Sequence, residues 1–260
     1  MTAPLSVRNL TKRFDALVAV DDVSFDLREG EVLALIGPNG AGKSTCFNML
    51  NGQLRPTAGS IKLLGREIAG LPPRKIARLG VGRTFQITAT FASMTVRENV
   101  QMALIAQRRR AFDPWSRANR FQTEEADRLL ALVALSDEAE RPCAELAYGD
   151  LKRLELAVAL AGSPRLLLMD EPTAGMAPAE RHALMELVAR IVRERAISVL
   201  FTEHDMDVVF AFAQRLLVLD RGRLIAEGTP KEIRENAEVR AVYLGGAPVA
   251  PASAEAPADA

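Results

Sequence analysis

The sequence has little cysteine, no surplus of charge of either sign and no long apolar run, and each shortage removes a class of protein. Its two cysteines, Cys46 and Cys143, lie far apart and form no CxxC pair, which argues against both a disulfide framework and a metal knuckle. They read as reduced thiols serving as small hydrophobes. Lys plus Arg equal Asp plus Glu at 33 each, so nothing in the overall charge calls for nucleic acid or anionic lipid as a partner. No stretch approaches the roughly 20 apolar residues of a bilayer span, and any membrane link is therefore expected to run through another subunit. The segment from Met1 to Asn9 lacks a charged region followed by an apolar run, so it is not read as a secretory signal. The protein is expected on the cytoplasmic side.

What is present is an ordinary globular composition, 48% hydrophobic and 25% charged over 260 residues, enough for one large α/β domain with a subdomain. Alternating apolar residues at Leu5 to Leu10 and Val18 to Leu27 predict an N-terminal β region. Glu31 to Ile36 reads as a buried strand running into a glycine-rich turn, with a helix from Lys43 to just before Gly52. A strand at Ser60 to Leu64, a helix opened by Pro72 and Pro73, and a short strand at Val81 to Phe85 follow. Residues 95–161 read mostly as helix, and a helical subdomain is expected at about 88–163 within the α/β core. The α/β pattern then resumes with strands at Leu166 to Met169, Ile197 to Phe201 and Leu216 to Leu219, separated by helices from Pro178 and Asp205. Ala247 to Ala260 is mostly Ala and Pro without aromatics and is expected to be a disordered tail beyond a domain spanning 1–246.

The most informative run is Gly37-Pro38-Asn39-Gly40-Ala41-Gly42-Lys43-Ser44-Thr45, a GxxxxGK[ST] loop between a predicted strand and a predicted helix. Glycines let successive N–H groups turn toward phosphate oxygens, and the helix N-terminus adds partial positive charge. Lys43 is expected at the β- and γ-phosphates and the Ser44 hydroxyl on Mg²⁺, with Thr45 behind it. A second apolar run, Leu166 to Met169, delivers Asp170 and Glu171 at its end. Asp170 is suited to hold Mg²⁺ through water and Glu171 to act as general base on the water that attacks the γ-phosphate. His204 also follows a predicted strand, which brings it to the same sheet edge.

With these residues in place the chain resembles the ABC ATPase family over residues 5 to 246. The resemblance implies a P-loop NTPase core, α/β, with an antiparallel N-terminal β region and an inserted helical subdomain, and it implies ATP and Mg²⁺ as ligands. Gln86 matches the glutamine that touches Mg²⁺ and water and relays nucleotide state to the membrane subunit. Phe14 matches the aromatic that stacks on adenine, and His204 the histidine that contacts the γ-phosphate. Leu146-Ala147-Tyr148-Gly149-Asp150 falls at the LSGGQ signature, so that Tyr148 and Gly149, with the helix expected from Leu151, face the nucleotide of a second ATPase subunit. Ala147 and Asp150 depart from that signature, and Ala177 departs from the acid or amide usual in the D-loop Ala174-Gly175-Met176-Ala177.

LAYG followed by basic residues and LEL, then DEPTAGMAP, EHDM and VRAVYLGG, resembles the importer branch for branched-chain and other hydrophobic amino acids. That resemblance implies polytopic permease subunits, a second ATPase subunit, identical or not, and an external substrate-binding protein. It puts the chain at the cytoplasmic face of the inner membrane. Urea, aromatic acids and extracted lipid remain alternative cargoes, as does a non-transport role, although the last class is marked by paired cassettes, long coiled coils or zinc fingers that this sequence lacks. Arg108-Arg109-Arg110 and Trp115 read as a solvated basic face and a packed tryptophan.

Overall fold

A computed structural model describes residues 3–84, 90–107 and 123–243. The chain begins with Leu5–Phe14 (β1) and Leu17–Leu27 (β2), then Val32–Ile36 (β3) and the helix Lys43–Leu50 (α1). Ala58–Leu63 (β4), Arg66–Glu67 (β5), Pro73–Arg78 (α2) and Val81–Thr84 (β6) follow. Next come helices Val96–Gln107 (α3), Thr123–Leu132 (α4) and Tyr148–Leu160 (α5). The second half runs through Leu166–Asp170 (β7), Pro178–Arg195 (α6), Ser198–Thr202 (β8), Met206–Phe212 (α7) and Arg215–Asp220 (β9). It closes with Arg223–Gly228 (β10), Pro230–Glu235 (α8) and Ala237–Val242 (α9).

Two sheets form. β2, β1, β4 and β5 make an antiparallel sheet, and β10-β9-β3-β8-β7-β6 a larger one in which all neighbours are parallel except the edge pair β10 and β9. Parallel strands covered on both faces favour continuous apolar runs, and Val32 to Ile36, Leu166 to Met169, Val199 to Phe201 and Leu216 to Leu219 supply them within β3, β7, β8 and β9. Successive side chains then divide between the faces. Leu33, Leu35, Leu166, Leu168, Leu200, Leu217 and Leu219 pack with α1 and the antiparallel sheet. Ala34, Ile36, Leu167, Met169, Val199, Phe201, Leu216 and Val218 pack with α3 to α7, in one apolar cluster that includes Val96, Val100, Leu129 and Leu130.

Several boundaries differ from expectation. β1 continues to Phe14 because its register shifts around Val7, Leu10 and Lys12 preserve pairing past the polar residues that break the alternation. The helix expected from Leu151 starts at Tyr148, one turn earlier, with Ala147 extended ahead of it and Asp150 in its first turn, where an acid is favourable. β5, β10, α8 and α9 were not anticipated. Gln86, Phe85, Arg108 to Arg110, Trp115 and the expected tail at 247–260 lie outside the described residues. No described helix is long and apolar enough to cross a membrane.

Candidate nucleotide site

The order of the large sheet brings the carboxyl ends of β3, β8 and β7 side by side, so the segments after Ile36, Thr202 and Asp170 share one edge although they are far apart in sequence. Loops leaving adjacent parallel strands at the same edge are where α/β proteins bind ligands.

After β3 the chain folds into the loop 37–42. Gly42 caps α1 at φ 102, and a Cβ there would lie 2.4 Å from the Ala19 carbonyl oxygen, so the close approach of loop and β2 requires glycine. The loop is also tied to the β9–β10 turn, where the Gly222 N–H donates to the Ala41 carbonyl at 3.0 Å. The Lys43 ammonium is buried and donates to the carbonyls of Gly37 at 2.6 Å and Pro38 at 3.0 Å. Burial holds it below the usual lysine range, against the pull of the Glu171 and Asp170 carboxylates.

β7 ends in Asp170, whose Oδ1 accepts from the Thr202 hydroxyl at 2.7 Å and whose Oδ2 lies 3.6 Å from the Arg83 guanidinium. Burial lowers the Arg83 pKa and the Asp170 charge opposes that shift. Glu171 adopts φ 48, a left-handed conformation uncommon outside glycine. Its N–H is held at 3.1 Å from both the carbonyl and the hydroxyl oxygen of Thr202, which supports the unusual backbone. Its Oε1 lies 2.6 Å from His204 Nε2.

A cavity of about 490 Å³ joins these pieces. Its walls are formed by Phe14, Leu17, Val18 and Ala19 from the first two strands, by Asn39 to Thr45 from the phosphate loop and the start of α1, and by Glu171, His204 and Arg221. An apolar shelf beside a cradle of N–H groups and a cation suits a flat heterocycle carrying phosphates. Asp170 is not among the lining residues and is linked to Glu171 through Thr202, whose hydroxyl donates to Asp170 and accepts from the Glu171 N–H. Tyr148 and Gly149 lie outside the cavity at the start of α5, where the Tyr148 hydroxyl donates to the Ala174 carbonyl at 2.9 Å and Gly149 adjoins Glu180. Ala177 offers no side-chain oxygen to cap α6, but its N–H donates to Glu180 Oε2 at 3.2 Å. Sequence reasoning missed Leu17, Val18, Ala19, Arg221 and Thr202; only Leu17 carried a signal, as an apolar residue just past the turn that follows Phe14.

A family model described as ABC transporter matches residues 20–174. The chain belongs to this family. A second model, described as branched-chain amino acid ATP-binding cassette transporter, matches residues 223–248 of the cassette. Among curated relatives, the high-affinity branched-chain amino acid transport ATP-binding protein LivG of Salmonella typhimurium is 43% identical over 253 residues, covering 94% of this chain and 99% of the relative. The corresponding protein BraF of Pseudomonas aeruginosa is 42% identical, covering 93% and 97%. Among solved structures, the ADP conformation of MJ1267, an ATP-binding cassette of an ABC transporter, superposes with a TM-score of 0.84 at 30% identity, covering 94% of this chain and all of that one. The cassette thus binds nucleotide and is an ATPase of the transporter class.

Proposed function

We propose that this cassette drives the uptake of branched-chain or related hydrophobic amino acids, with Glu171 as the general base for ATP hydrolysis. The observation that carries the chemistry is the Glu171–His204 pair at 2.6 Å on the wall of the cavity lined by the phosphate loop. In this reading Phe14 stacks on adenine, the N–H groups of the loop 37–45 and Lys43 hold the phosphates, and Glu171 takes the proton of the attacking water. His204 fixes the orientation of that carboxylate and meets the γ-phosphate, while the left-handed backbone keeps the carboxylate aimed into the cavity.

Mg²⁺ fits the residues present. Among the described residues no cluster of three His, Cys, Asp or Glu forms a protein cage for a metal. One carboxylate, Asp170, with the Ser44 hydroxyl, completed by phosphate oxygens and water, is the hard-oxygen set this ion takes in phosphoryl-transfer sites, while Gln86, expected as a further ligand, lies outside the described residues. When bound it supplies charge neutralisation at the phosphates.

Tyr148 and Gly149 lie away from their own cavity, which supports a paired arrangement in which the start of α5 meets the nucleotide of a second cassette. Permease subunits at the cytoplasmic face of the membrane, with an external binding protein, complete the proposed importer, and the helices α3, α4 and α5 belong to the helical subdomain expected at about 88–163. The cargo rests on the second family model and on the names of the relatives.

Glu171→Gln keeps size but removes the base. The purified variant is expected to bind ATP-Mg²⁺, lose turnover and form an ATP-dependent dimer on size-exclusion chromatography, and adding Gly149→Asp is expected to abolish that dimer. Normal turnover of Glu171→Gln, or dimerisation of the double variant, refutes the mechanism. Leucine uptake by vesicles carrying the cassette with its permease subunits tests the cargo, and uptake of urea alone refutes it.

A further inference from the structure

The segment after β8 grips the segment after β7 at successive residues, and the central grip is made by a residue with no part in the chemistry above. Glu203 is 3% exposed, and both its carboxylate oxygens are engaged. Oε1 accepts from the Thr173 N–H at 2.8 Å and from the Thr173 hydroxyl at 2.6 Å, while Oε2 accepts from the His204 N–H at 3.1 Å. Thr173 is itself 1% exposed and lies two residues beyond Glu171.

We infer that Glu203 is the positioning residue that sets the Glu171–His204 geometry, by tying the backbone just after the proposed base to the backbone of the histidine. The inference rests on the roles proposed for Glu171 and His204. Glu171 is held from before by Thr202 and from after by the Thr173–Glu203 contact, so its left-handed backbone is fixed on both sides. His204 receives the other oxygen of the same carboxylate, so both members of the pair are referred to one rigid group. A second clamp extends the unit toward the D-loop: the Arg181 Nε donates to the Met176 carbonyl at 2.7 Å and its Nη1 pairs with Asp205, which also caps α7 through the N–H groups of Asp207 and Val208. Burial works to raise the Asp205 pKa, but the Arg181 contact and the two N–H groups outweigh it and hold the carboxylate below its usual range, so this clamp stays charged at neutral pH. A carboxylate that accepts three hydrogen bonds from two loops transmits displacement of either loop to the other, because a buried charge that loses those donors is costly.

The test uses the full chain with Glu203→Gln and Thr173→Val, which remove part of the grip at nearly constant volume, beside Glu203→Ala. In single-turnover hydrolysis at saturating ATP, turnover is expected to fall about tenfold in the two conservative variants and about a hundredfold in Glu203→Ala. Affinity for a fluorescent ATP analogue should stay within about twofold, since the phosphate loop is untouched. The chain contains two histidines, and His182 lies away from the cavity against Phe212, so the imidazole NMR signals provide an internal control. In Glu203→Gln the His204 signal should move or broaden while that of His182 stays in place. A folded Glu203→Gln with wild-type turnover and an unmoved His204 signal overturns the inference, as does a loss of nucleotide affinity equal to the loss of turnover. If Glu171→Gln itself retains full turnover, the proposed mechanism fails instead, which separates the two failures.

Discussion

Two glycines of the phosphate loop make the same backbone demand in different surroundings, and substituting each by alanine separates strain from steric conflict. Gly40 and Gly42 both sit at positive φ, 81 and 102. An L-residue held in the left-handed region costs roughly 1–2 kcal/mol. For Gly40 the cost ends there, because a Cβ would meet no heavy atom within 4 Å. For Gly42 the Cβ would stand 2.4 Å from the Ala19 carbonyl oxygen and 3.4 Å from Val20 Cγ2. An ordinary C···O approach is roughly 3.3 Å or more, so β2 and the loop must separate by about 1 Å. Ala19 is the extra residue at a register shift of β2, held between the paired residues Val18 and Val20, so its carbonyl can give way only by displacing them, and overpacking of this kind adds about 1–3 kcal/mol. For a chain of this size each kcal/mol lowers the melting temperature by about 2–4 °C. Gly42→Ala is therefore expected to melt about 2–12 °C below Gly40→Ala. It should also bind a fluorescent ATP analogue more weakly, because the displacement falls at the N-cap of α1, next to Lys43. Circular dichroism melts and nucleotide titrations of the two variants decide it. Equal melting temperatures, or a lower one for Gly40→Ala, refute the reasoning.

Arg215→Met should destabilise the protein by about 3–5 kcal/mol at neutral pH, since it strands a buried carboxylate: Arg215 donates twice to Glu31 at 2.8 Å and also engages Glu227 and the Asp26 carbonyl. Burial tends to raise the Glu31 pKa, but Arg215 and the Arg28 N–H hold it below its ordinary 4.5, so its stabilisation is present above that value and fades as pH falls through the lowered one. Without Arg215 the burial effect prevails and acid relieves the stranded charge, so the gap between wild type and variant should narrow in urea melts as pH falls from 7 toward 4. Lys43→Ala should abolish hydrolysis, because it removes the ammonium at the centre of the loop; turnover within about twofold of wild type refutes its assignment. Burial pushes the Cys46 thiol up to about 12, and Cys143 is buried as well, so a thiol reagent should label neither in the native protein and both in denaturant.

The parts of the fold that could be read in advance were those whose burial is uniform. β3, β7 and β8 are covered on both faces and spell this out as unbroken apolar runs. β10 is an edge strand whose residues are exposed or half-buried, so Arg223 to Gly228 carries no such pattern. α8 and α9 have six residues each, too few for a helical period to emerge, although Thr229 and Glu232 form a capping box that marks the start of α8. At the site, the phosphate loop was legible because its chemistry is carried by consecutive residues. The contacts of Thr202, Glu203 and Arg181 were not, since each joins loops that only the parallel pairing of β7 with β8 brings together. Tyr148 illustrates the same limit: its hydroxyl reaches Ala174, a contact that its position in the signature does not announce.

The place of β3 in the sheet has a consequence for synthesis. This strand carries the phosphate loop, yet both of its neighbours come from the last third of the chain: Val32 pairs with Val199, and Leu33 with Arg215. On the ribosome β3 therefore waits with two open edges until β8 and β9 have emerged. Long-range pairing of this sort is slow, and an apolar strand with bare edges is prone to join another chain. A nascent or prematurely terminated chain ending before Ser198 would expose this strand and could gain no protection from ATP, because the pocket wall that includes His204 does not yet exist. Nucleotide bound at the complete pocket stabilises the molecule only once β8 and the segment that carries His204 have joined β3.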